Sequence, residues 1–300
     1  MKIPQLVHPR YWPFWFGLGI LRLITMLPYR VQLRIGRGIG RLIYLFPSKF
    51  KKISETNIKL CFPNLSCEEQ KNILKKNFES LGIGIMETGM AWWLSDEKLR
   101  ATCTVHGLEH VEAAFAKGKG IILLGPHFTC LEMIGRLISL QYSFAVMYQP
   151  HKKPFVQFIH ERFRKKKSIQ YIPRHRMREV LRTLQNNVAI WYAYDVDGGK
   201  KRSVFAPFFG IPTASLTAVS RLVKLSDATV VPISFYRRDH EMGYDIFLGE
   251  ALQHFPSENL QEDATRLNWS LEQAIRNKPE QYVWQYKRFK TRPDGEPRFY

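Results

Sequence analysis

From Thr102 onward the chain carries short runs rich in β-branched and aromatic residues, at 102–105, 120–125, 144–148, 169–172, 188–194, 229–236 and 244–248. Helical spacing fills most of the intervals between them. Strands of that length cannot cover both of their faces alone, and the arrangement that covers them is a sheet with helices packed against it. The predicted fold class is therefore α/β, a mixed sheet with helices on both faces. Residues 1–100 show helical spacing only. No internal repeat or low-complexity tract divides the rest, so the expected division is 1–46, an amino-terminal segment, and 47–300, one domain that is helical to about residue 100 and α/β after it.

One of these runs stops at a group able to do chemistry. Ile121-Ile122-Leu123-Leu124 has the composition of an interior strand, Gly125-Pro126 breaks it, and helical spacing runs from Thr129 to Leu140. His127 thus falls at a strand-to-helix turn, with Glu132 five positions later. On one regular helix two such residues diverge by about 140°, so they meet only where the histidine precedes the helix, the condition that Gly125-Pro126 supplies. An imidazole held in one tautomer by a carboxylate takes a proton from a hydroxyl. A helix-capping histidine beside a solvated glutamate fits the same residues.

The amino terminus is apolar and aromatic from Tyr11 to Leu27, interrupted by Arg22 and Thr25. Seventeen residues lie at the short limit for crossing a bilayer, and an interfacial helix competes with a single-pass one. Arg30, Arg34, Arg37 and Arg41 then fall on one stripe of a second helix, with Ile35, Ile39, Leu42 and Phe46 on another. A basic amphipathic helix of this kind lies along anionic lipid, and it equally suits a helix docked on the protein's own core. A membrane-docking segment ahead of the α/β domain is the expectation. Further on, Ser66 with Glu69 predicts a capping box opening a helix through Phe78, and an apolar helix is expected from about Leu81 to Leu94.

Lys and Arg number 45 against 26 Asp and Glu, a net charge of +19 spread along all 300 residues. Anionic partners follow: nucleic acid, an anionic lipid surface and an acidic carrier protein all suit that field. Aromatic residues sit in apolar runs instead of alternating with the basic ones, which argues against single-stranded nucleic acid and for no nucleic-acid partner. Cys61, Cys67, Cys103 and Cys130 form neither a disulfide framework nor a metal-ligand spacing, which favours a reducing compartment and no metal; no cofactor is expected either.

Seven blocks in order point to one family: His-Pro-Arg-Tyr-Trp at 8–12, Met86 to Trp92, His127 with Glu132, Trp191-Tyr192-Ala193-Tyr194-Asp195, Ser203 to Phe209, Pro279 to Trp284 and Arg288 to Pro293. Together they resemble the late acyltransferases of lipid A biosynthesis, on the lauroyltransferase side of that family. The resemblance implies a glycerolipid-acyltransferase-like fold and an enzyme of the cell inner membrane with its catalytic domain in the cytoplasm. It implies transfer of a fatty acyl chain, lauroyl by family default, from acyl-acyl carrier protein to the 3-hydroxyl of a hydroxyacyl chain on (Kdo)2-lipid IVA. In that chemistry His127 would be the general base and Glu132 its orienting acid. Arg164 occupies the position of the family's functional arginine, suited to an anionic group. Asp195, at the end of its strand where α/β sheets place ligands, would shape the substrate site, although Asp197-Gly198-Gly199 makes a purely structural turn equally natural. Phe205, Pro207, Phe208 and Phe209 are candidates for an acyl-chain slot. Cys130 is expected to be an inert buried thiol. The rival expectations are a glycerol-phosphate acyltransferase and a basic membrane- or nucleic-acid-binding protein without catalysis.

Overall fold

A computed structural model describes residues 8–150, 153–164, 169–239 and 242–300, the side chains of Pro154, His160 and Arg164 excepted. Nine strands are present among them: β1 Cys103–His106, β2 Ile121–Gly125, β3 Phe144–Tyr148, β4 Ile169–Pro173, β5 Ala189–Ala193, β6 Ser203–Phe208, β7 Ile211–Leu216, β8 Thr229–Arg237 and β9 Tyr244–Leu248. Seven form one sheet in the order β1-β9-β8-β2-β5-β3-β4. Its pairs are parallel except β8 with β9. All seven expected strands are there, and the mixed α/β sheet stands.

Strand β2 is buried from end to end, as the unbroken apolar run of an interior parallel strand requires. Leu123, Ala189 and Phe144 share one face of the sheet, under the Leu131–Ile138 helix. Leu124 and Pro232 point the other way, toward Leu271 and Ala274 of the Leu260–Asn277 helix. Helices thus cover both faces of the central strands.

The β6–β7 hairpin was not expected. Pro207 and Pro212 stand opposite each other in it, and a proline in each strand masks the strand signal. Phe209 and Gly210 join the two strands, with φ of 49° and 77°, the positive values that a two-residue hairpin turn needs. Phe208 is wholly buried against Phe289, and none of Phe205, Pro207, Phe208 and Phe209 lines the large cleft described below. Phe208 belongs to the core, Phe205 and Phe209 are half-buried and Pro207 is exposed.

Among the helices, Ser66 and Glu69 form the expected capping box. The two helices expected between Ser66 and Leu94 are one, Cys67–Trp93, whose glycines serve packing instead of a break. Gly36 and Gly40 of the Tyr29–Leu45 helix meet Gly82 of this long helix so closely that a β-carbon at Gly82 would lie 2.0 Å from the Gly36 carbonyl oxygen. The Tyr29–Leu45 helix therefore docks on the protein's own helix through its small residues, while Arg34, Arg41, Leu42 and Phe46 stay exposed. Upstream, the Trp12–Ile24 helix is 13 residues long, about 20 Å, against the roughly 20 residues that a bilayer crossing takes. No helix among the described residues is long and apolar enough to cross a membrane, and a single-pass anchor is not confirmed.

This helix contact sets a test by thermal melting. Gly82→Ala forces two backbones apart, an overpacking cost of about 1–3 kcal/mol, and should lower Tm by roughly 2–10 °C. Gly38→Ala, on the same helix as Gly36 but with nothing near its β-carbon, should leave Tm unchanged or slightly raised.

Candidate active site

The ends of β2 and β5 place the reactive groups. These strands pair in parallel with Gly125 beside Ala193, so the residues two positions beyond each, His127 and Asp195, arrive side by side. Asp195 takes the histidine with both oxygens: Oδ2 accepts the His127 backbone N–H at 2.8 Å, and Oδ1 lies 2.7 Å from Nδ1. The Asp195 side chain is 0% exposed and that of His127 21%. Burial pushes the Asp195 carboxyl upward, but the facing imidazole and its hydrogen bonds outweigh this and hold it below the ordinary carboxylate value. Burial likewise pulls the imidazole down, yet the Asp195 charge and hydrogen bond leave it above the usual histidine value. An ionised carboxylate only accepts, so Nδ1 carries the proton and Nε2 keeps its lone pair. No described residue hydrogen-bonds Nε2, and the ring packs edge-on between Trp191 and Tyr286.

The turn that carries His127 is clamped from outside the sheet. Val283 donates its N–H to the His127 carbonyl at 2.9 Å, and Thr129 donates to the Gln281 carbonyl at 2.8 Å. Behind the turn lies a buried ion pair, with Arg237 Nε 2.6 Å from Glu87 Oε1 and Nη2 2.7 Å from Oε2. Tyr244 donates to Glu87 at 2.7 Å, and Arg237 also reaches Ser80 and Thr129. Breaking such a buried pair from one side leaves an uncompensated charge, so these groups fix the turn as a unit. The Met86–Trp92 and Pro279–Trp284 blocks thus act through this framework. Cys130, beneath the turn, is fully buried, and burial drives its thiol far up, which leaves it without nucleophilic thiolate.

His127 opens onto a cleft of about 1020 Å³. One wall is apolar, with Ile134, Ile138, Phe144, Val146 and Ile169. Arg174, Arg202, Arg221, Lys287 and Lys290 also line it.

The chain matches the bacterial lipid A biosynthesis acyltransferase family over residues 2–291. It belongs to that family. At 36% identity it is similar to the Lipid A biosynthesis palmitoleoyltransferase of Escherichia coli (strain K12), covering 99% of this chain and 97% of that protein. At the same 36% it is similar to the Lipid A biosynthesis lauroyltransferase of the same strain, covering 98% and 97%. Similarity to the Lipid A biosynthesis myristoyltransferase of that strain is 26%, over 96% and 90%. An acyltransferase of lipid A biosynthesis is what the family membership supports.

Against this family background two expected roles change. The carboxylate on Nδ1 is Asp195, where Glu132 was expected; Glu132 sits on the first turn of the Leu131–Ile138 helix, lines the cleft, and accepts from Trp92 Nε1 at 3.1 Å. Asp195 in turn does not line the cleft and is the buried partner of His127. The reason is register: the sheet brings together two groups 68 positions apart, while the local spacing of five suggested the nearer acid. Equal offsets beyond two adjacent strand ends were the available signal. Arg164 ends the Pro154–Arg164 helix, and its side chain lies outside the described residues.

By nuclear magnetic resonance, His127 should titrate above the usual value of about 6.5. Asp195→Asn removes the charge that raises it and leaves burial, so the titration should move below 6.5; Glu132→Gln should move it little.

Proposed function

We propose that this protein transfers a fatty acyl chain from acyl-acyl carrier protein to the 3-hydroxyl of a hydroxyacyl chain on (Kdo)2-lipid IVA. The observation that carries the reading is His127, oriented by Asp195 and opening onto a cleft that joins an apolar wall to a set of cations. Nε2 takes the acceptor's hydroxyl proton while that oxygen attacks the thioester carbonyl. The tetrahedral intermediate collapses with cleavage of the carbon–sulfur bond, and the departing thiolate takes the proton back from Nε2. Asp195 stabilises the imidazolium between these steps. Glu132 and Arg164 are assigned to the substrates, Glu132 as a cleft carboxylate beside the acceptor hydroxyl and Arg164 as an anion-binding group by its place in the family pattern. The cations suit an acceptor bearing phosphates, and the +19 charge suits an acidic carrier protein.

The amino-terminal segment, 1–46, is assigned to docking on the cytoplasmic face of the inner membrane. Phe16 and Leu45 are each 72% exposed, and Trp12, Leu23, Met26 and Phe46 are exposed with them. Unburied apolar side chains of this size on consecutive helices mark an interaction surface. Arg30, Arg34 and Arg41 are also exposed, as groups at lipid headgroups should be. The two relatives of equal identity are named for lauroyl and palmitoleoyl transfer, so similarity does not choose the donor's length. Lauroyl remains the family default.

Incubation of the protein with acyl-carrier donors and tetraacylated acceptor in membranes, followed by mass spectrometry, should give a pentaacyl product. His127→Ala should cost about 10²–10⁴-fold in rate, while Cys130→Ala keeps most of it. The acid limb of kcat/KM should lie above pH 6.5, because activity needs the neutral imidazole and Asp195 raises its pKa. A glycerol-phosphate product instead would transfer the site to the other acyltransferase class. Separately, Phe16→Glu with Leu23→Glu should weaken binding to anionic vesicles at least about tenfold, from the apolar area lost.

A further inference from the structure

The cleft does not end at its apolar wall. The Leu131–Ile138 helix turns Leu131, Ile134, Gly135 and Ile138 toward it, over Trp191 of β5 and Phe144 and Val146 of β3. Those three strand residues share one face, since Phe144 pairs with Ala189 and Val146 with Trp191. Together these groups form an apolar slot that starts beside the His127 ring, against Trp191. A second, smaller cavity of about 20 Å³ lies on the same face, lined by Val105, Val111, Leu123, Ala189 and Ile246, with Gln141 also in its wall. Ile138 and Phe144 line both spaces. These two side chains are therefore the partition between slot and inner cavity.

Distances along the sheet give the partition a meaning. Phe144 is level with Ala189 and so with Ile121, four steps below Gly125. At about 3.3 Å per residue that depth is about 13 Å. An extended chain advances about 3.3–3.6 Å per three bonds, so the depth suits a hydrocarbon of about ten to twelve carbons. Gly135 lies midway, lines the slot, and has nothing within 4 Å of where a β-carbon would stand. The absent side chain keeps the passage open.

We propose that Ile138 and Phe144 set the length of the transferred acyl chain by closing the slot's floor, and that Gly135 sets its bore. This deepens the acyl-transfer reading and rests on it. Removing the floor joins the slot to the inner cavity, and the terminal carbons of a longer donor then have apolar surface to occupy. A side chain at Gly135 halts a chain part-way.

The test supplies wild type, Phe144→Ala, Ile138→Ala and Gly135→Leu with carrier-linked donors of ten to sixteen carbons, and reads products by mass spectrometry. Phe144→Ala and Ile138→Ala should raise the ratio of longer to wild-type-preferred donors at least about tenfold, the scale of one or two methylenes in an apolar pocket. Gly135→Leu should shift preference to shorter donors by a similar factor. Phe144→Ala with Val111→Phe returns the lost volume from the far side and should restore the wild-type profile. In parallel, displacement of a fluorescent fatty acid from the purified protein by chains of rising length reads the slot without acyl transfer. Unchanged chain-length cutoffs in folded Gly135→Leu and Phe144→Ala overturn the assignment. No product from wild type with any donor, alongside shifted cutoffs, instead overturns the acyl-transfer reading and leaves the floor in place. Gly135→Leu decides if Phe144→Ala melts early, because its site has room for the added carbons.

Discussion

A carboxylate from which water is excluded is the constraint around which this protein is arranged. Asp195 has no exposed surface, and an ion in that position costs several kcal/mol unless its lone pairs are met. Both oxygens are met by one residue, His127, through its ring and its backbone. The pairing exists because β2 and β5 lie side by side in parallel register and each ends two residues short of its polar group. A shift of that register by one residue would turn both side chains to opposite faces and leave the charge unmet. Sheet register and the orientation of the imidazole are in this way one constraint.

A second buried ion pair extends it. Glu87 from the long helix and Arg237 from β8 meet behind the turn, and Thr129 and Ser80 join them. Gln281 binds the Arg237 backbone in both directions, at 2.8 Å each way, and its own carbonyl holds Thr129. Three distant parts of the chain therefore converge on the one turn between β2 and the Leu131–Ile138 helix. The imidazole is aimed by parts of the protein that never reach the cleft.

What the amino-acid sequence disclosed follows from range. Strands announced themselves through local apolar runs, and the histidine turn through Gly125-Pro126, because both signals lie within a few residues. The β6–β7 hairpin stayed hidden since Pro207 and Pro212 contradict strand propensity, a conflict that pairing resolves only in three dimensions. Gly82 and Gly84 suggested close approach to a neighbour, and the first admits another helix's backbone and the second the Thr129 carbonyl, while the unbroken helix that carries them read as two. The partner of His127 was misassigned for the same reason: Glu132 is near in sequence, Asp195 near in space. The contacts of these residues depend on pairings that sequence order does not encode.

The close meeting of Gly36, Gly40 and Gly82 has a mechanical side. With main chain against main chain there is no compressible side chain between the two helices, and packed backbone transmits displacement with little slack. The second of these helices carries Glu87 and Trp92, one tied to Arg237 behind the histidine and the other to Glu132 on the cleft wall. The first helix is thereby connected, through one rigid neighbour, both to the support behind the histidine and to the cleft wall. The exposed amino-terminal face and the groups around the imidazole are in this way joined through one continuous stretch of packed backbone.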